Sequence, residues 1–162
     1  TQIGTGQTYT LANGTLRDLS GSDPTVYDIS DEEIWDMDGS LNILNGTGLT
    51  SDNVFLVSGT IAVDGNFTTS QVVAFISGGN IMVNSAVTEI DATFVTDGQF
   101  STGVSTSGLK IVGSVAANGG ITLGREQTSS KPSEYFVCNP KLFINLANIL
   151  GLSSYTWQEV AP

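Results

Sequence analysis

Five glycines, Gly39, Gly59, Gly79, Gly98 and Gly113, follow one another at spacings of 20, 20, 19 and 15 residues, each framed alike. A large apolar residue stands four positions before each: Trp35, Phe55, Phe75, Phe94 and Leu109. Another stands two positions after: Leu41, Ile61, Ile81, Phe100 and Val115. Four positions after come Ile43, Val63, Val83, Thr102 and Ala117. The segments read WDMDGSLNI, FLVSGTIAV, FISGGNIMV, FVTDGQFST and LKIVGSVAA.

Two periods are superimposed here. Within a segment apolar and polar residues alternate, which places Leu41 and Ile43 on one face of a strand. Across segments, a period near twenty returns like residues to like places. A coil that closes on itself and climbs one strand spacing, about 4.8 Å, satisfies both. The prediction is an all-β chain, a single-stranded parallel β-solenoid (β-helix) of about five to seven coils. The two apolar series stack inside as ladders, and the glycines mark bends, bulges or close backbone approaches. The final spacing of 15 predicts a shorter coil or a lost corner. The competing architecture is a β-sandwich whose strands merely share a composition.

The repeat spans residues 35–125, with 1–34 as an irregular N-terminal cap or first coils and 126–162 as a C-terminal strand, short helix and capping tail. Open ends of a solenoid expose backbone and core, so they are capped or used. Tyr135-Phe136-Val137 reads as one more strand. Asn139-Pro140 reads as an N-cap with proline at the first helical position. Leu142, Phe143, Leu146, Ile149 and Leu150 follow at helical spacing, and Gly151 suits the stop. This predicts a short helix over 140–150 lying over the last coil, with Tyr155 and Trp157 packing the tail onto the rod.

Charge is unevenly spread. The net charge of the 162 residues is −11. Residues 1–108 hold one base, Arg17, and thirteen acids, whereas 109–162 hold four bases and three acids. Such a surface repels a phosphate backbone and anionic lipid, so neither nucleic acid nor direct membrane contact is expected. No stretch is apolar enough to span a bilayer as a helix. A start at Thr1 without Met is expected of a processed or trimmed segment. The lone Cys138 cannot form an intrachain disulfide and reads first as a small buried side chain.

The chemistry-bearing residues are few. There is no histidine, which removes His-containing triads and zinc sites. No nucleophile elbow or phosphate loop is present. A polysaccharide-cleaving carboxylate pair remains as an enzymatic option, with Glu89 and Asp91 or Asp64 and Asp97 as candidates; solvated acids that keep a rod soluble are the plainer reading. Asp31, Glu33, Asp36 and Asp38 crowd one segment and are the candidate ligands for a calcium ion, the one cofactor considered. The alternative there is solvation, or a capping box from Ser30 to Glu33. Asn13, Asn45 and Asn66 match glycosylation acceptors, as chance allows in a Thr- and Asn-rich chain.

The run VVAFISGGNIMV, the segment Val115 to Arg125, the Tyr135-Phe136-Val137 to Asn139-Pro140 stretch and the ending Ser-Tyr-Thr-Trp-Gln-Glu-Val-Ala-Pro together form a familiar pattern over residues 54–162. In these the chain resembles uncharacterised bacterial surface proteins of small-genome candidate phyla. These carry a pilin-like N-terminus and a C-terminal β-solenoid. The resemblance implies an extracellular, cell-surface setting and supplies no catalytic residues. The expectation is a non-catalytic structural module of a pilus-like filament, stalk or tip, partnered by its own copies or other appendage subunits. An adhesin or glycan-binding module is the second expectation, and a polysaccharide-active enzyme the third.

Overall fold

The computed structural model describes residues 1–30, 33–128 and 130–149. In chain order the strands are β1 (Gln2–Ala12), β2 (Thr15–Asp18), β3 (Thr25–Asp28), β4 (Ile34–Ile43), β5 (Asn53–Val57), β6 (Ile61–Val63), β7 (Val73–Ser77), β8 (Ile81–Val83), β9 (Glu89–Thr96), β10 (Phe100–Thr102), β11 (Leu109–Ala117), β12 (Ile121–Thr122) and β13 (Glu134–Val137). One helix, α1 (Pro140–Ile149), follows.

From β4 onward every strand pairing is parallel. β4 bends at its middle, so its first half pairs with β5 and its second half with β6. Two ladders climb from it, β5–β7–β9–β11–β13 and β6–β8–β10–β12. The chain is therefore a β-solenoid, of about four turns. Trp35 lies beside Phe55, Phe55 beside Phe75, and Phe75 beside Phe94. On the second ladder Leu41, Ile61, Ile81 and Phe100 stack in the same way. All eight side chains are buried. Phe67 closes the third side: its backbone bridges Ile90 and its ring meets Phe75 edge-on at 5.3 Å.

The coil number is lower than the five to seven expected, because β2 and β3 fold back antiparallel and add no turns. The short last coil is also corrected. Val115, not Leu109, lies beside Phe94, and Ile121, not Val115, lies beside Phe100. The fifth stacked glycine is Gly119, whose amide donates to the Gly98 carbonyl at 2.9 Å; Gly113 lies beside Ala92. The two frames differ by six residues. An even shift leaves every inward residue inward, so period-two alternation does not separate them.

At the N-terminal end β1 lies parallel on β4, with Tyr9 beside Leu41 and Leu11 beside Ile43. Asn13 and Gly14, both at positive φ, then turn the chain back into β2. A two-residue Asn-Gly loop matches the right-handed twist of a hairpin. Tyr9 fills the space under the coil and its hydroxyl donates to the Ile3 carbonyl at 3.0 Å. Burial, with Asp18, Tyr27 and Asp38 nearby, pushes its pKa up to about 12.

At the other end α1 is capped as its sequence predicts, the Lys141 amide donating to Asn139 Oδ1 at 3.2 Å. Its placement differs. The Asn145 side-chain Nδ2 donates to Asp52 Oδ2 at 2.9 Å, which ties the helix to the loop before β5, on the flank of the rod. Cys138 is exposed rather than buried, because no described strand stacks beyond β13. The predicted tail contacts of Tyr155 and Trp157, with Leu150 and Gly151, lie outside the described residues.

Candidate functional site

Asp36 and Asp38 project outward from β4, on either side of the inward Met37. Asp38 Oδ1 accepts from the Ser58 hydroxyl at 2.8 Å, and Ser58 Oγ accepts the Gly39 amide at 2.9 Å. Asp38 thus fastens the turn between β5 and β6 to the coil below. Glu33 is exposed just before β4. Asp31 lies outside the described residues. Among the described residues no three acidic, Cys or His side chains gather as a metal site. The capping box expected from Ser30 to Glu33 runs through residues 31–32, outside the described residues. The Ser30 amide and hydroxyl both donate to Asp28 Oδ1, which holds the Asp28 carboxyl below its usual value.

Glu89 and Asp91 share the outer face of β9. Glu89 is taken up by an ion pair with Lys110 at 2.6 Å, which in turn raises the lysine's pKa. Asp91 accepts the Thr69 amide at 3.3 Å, and burial raises its pKa. Asp64 and Asp97 are both exposed. Asp64 follows β6 and Asp97 precedes β10, so they lie toward opposite edges of the second ladder. The Asn66 carboxamide is engaged by Thr88 and Glu89 of the next coil, and Asn45 Oδ1 accepts the Asn13 and Thr47 amides. Both asparagines are corner staples between coils.

Three features were not anticipated from the sequence. The first is Arg125, which is buried although charged. Its guanidinium donates to the Ser85 carbonyl at 2.7 Å and the Asn84 carbonyl at 2.8 Å, two coils below. Burial lowers its pKa, and Glu134 opposes that shift. Glu134 accepts from the Thr102 hydroxyl and from the Arg125 amide. Arg125 and Glu134 therefore pin the last coils together at one corner.

The second feature is the C-terminal end. β12 pairs only with β10 and β13 only with β11 among the described residues, so no described strand lies on their outer edges. Ile121, Leu123, Tyr135, Phe136 and Val137 are all exposed there. Phe136 continues the inward column of Ile90 and Ile111, yet it is 44% exposed. The consecutive apolar run Tyr135-Phe136-Val137 was the available signal.

The third is a surface cleft of about 430 Å³ across β1, β2 and β4, bordered by Thr10, Arg17, Leu19, Asn42 and Leu44. A smaller depression of about 190 Å³ lies at Thr88, Lys110 and Tyr135. The residues of the solenoid match no protein family, no curated protein and no solved structure.

Proposed function

We propose that this chain is a non-catalytic structural module of an extracellular or cell-surface appendage, a rod segment that joins further copies of itself end to end. The observation that carries this reading is the open C-terminal edge. Strand edges that no described residue pairs, beside exposed Ile121, Leu123 and Phe136, are a template for another chain. The opposite end offers a short edge strand, β3, with Val26 exposed. Charge supports a second copy as the occupant. The N-terminal part of the chain carries nearly all the net negative charge, while Lys131 lies in the loop that leads into β13. Joining unlike ends is a heterologous contact, and one that does not close on itself gives filaments. The extracellular setting rests on the resemblance of residues 54–162 to bacterial surface proteins.

Sedimentation velocity and electron microscopy across protein concentration and salt test this. The expected result is growth of linear oligomers with concentration, weakened by salt and abolished in Phe136→Glu. Monomers at every concentration would overturn it.

A further inference from the structure

We propose that the cleft beside Arg17 binds a carboxylate-bearing sugar unit, a single hexuronic acid of a short oligosaccharide. The inference does not depend on assembly of the rod.

The strand register builds the cleft. Thr10 of β1 lies between Arg17 of β2 and Asn42 of β4, so the three side chains form one outward row across adjacent strands. At about 4.8 Å per strand the row spans roughly 10 Å, the reach of one or two sugar rings. Leu19 and Leu44 border the row and are both exposed. Its volume falls within the range of small-ligand sites.

The polar groups are strongly biased toward donors. Arg17 is the one base among the first 108 residues, beside thirteen acids. No acid lines the cleft. Among the described residues the Arg17 guanidinium has no ion pair or hydrogen bond. The Asn42 carboxamide oxygen is sealed from solvent without a partner, so what Asn42 can offer a ligand is its NH2 donor. A planar carboxylate matches the guanidinium fork with two parallel hydrogen bonds. Hydroxyls beside that carboxylate suit Thr10 and Asn42. The C–H face of a pyranose suits Leu19 and Leu44, which otherwise remain wet. A uronic acid carries all three features on one ring.

The test is an NMR titration of the whole chain at a concentration where it is monomeric, with trigalacturonate, its methyl ester and a sulfated galactose trimer. Trigalacturonate is expected to bind saturably and shift the Arg17 and Asn42 side-chain signals. The ester is expected not to bind, and Arg17→Gln to weaken binding at least about tenfold. Arg17 is exposed, so an unchanged melting temperature shows that the variant is folded. Absence of saturable binding, binding indifferent to Arg17→Gln, or preference for the sulfated trimer would each overturn the proposal.

Discussion

Phe75 stacks on Phe55 with ring centroids 5.2 Å apart and planes within 14°. Phe94 continues the stack above Phe75 at 5.5 Å and 18°. Offset stacking adds to the area term for rings that are already fully buried. The column ties three coils into one core, and no coil could bury its apolar face alone.

Phe75→Ala removes the middle ring of that column. The loss of burial together with the cavity costs about 3–5 kcal/mol. Urea unfolding should show a much lower midpoint, whereas Phe75→Leu should lose less. A midpoint within error of the parent would contradict the packing described.

Gly79→Ala probes the glycine row. Its amide donates to the Gly59 carbonyl at 3.0 Å, and an added Cβ would sit 2.8 Å from that carbonyl oxygen. The constraint is close approach of two backbones rather than backbone dihedral. Pushing adjacent coils apart should cost about 1–3 kcal/mol, read by thermal unfolding.

Arg125→Met keeps the length of the side chain and removes its donors. The Ser85 and Asn84 carbonyls would each lose a charge-assisted hydrogen bond, at a cost of about 2–3 kcal/mol. Hydrogen exchange should then quicken first at the corner of residues 84–85 and in β12. Protection unchanged there would show that the staple is dispensable.

The Asp91 carboxyl is held above its usual value of 3.8 by burial, with Glu89 adding and the Thr69 amide and Lys110 opposing. The folded state therefore binds this proton more tightly than the unfolded chain. Its contribution is most favourable below 3.8 and is lost as pH rises through the folded value. Asp91→Asn is free of that loss and can still accept from Thr69. The variant should gain on the parent as pH rises from 3.8, then hold a constant advantage of at most about 0.5 kcal/mol after solvent screening. Melting temperatures at several pH values read this. An advantage that shrinks with rising pH would contradict it.

The ladders from Trp35 to Phe100 were legible because two periods agreed on the same residues. The last coil was not, because Gly113 and Gly119 frame equally good alternations and parity is blind to a shift of six. Asn13-Gly14 is a strong hairpin signal, but as the start of an Asn-Gly-Thr match it read as a glycosylation acceptor. Arg125 follows a glycine at a corner, and a charged residue there reads as solvated; only the winding of the chain brings the Ser85 and Asn84 carbonyls beneath it. Cys138 ends an apolar run that implies burial, yet no described strand stacks beyond β13. The Arg17 cleft needed the register of three strands, one of which, β4, is remote in sequence from the other two.

Backbone NMR contacts between coils test the winding itself most directly. Parallel strands about 4.8 Å apart bring the amide and α protons of residues one coil apart within reach of each other. The account predicts an unbroken ladder of such contacts linking Trp35, Phe55, Phe75, Phe94 and Val115. Close α-proton pairs between antiparallel strands anywhere within residues 53–117 would contradict it.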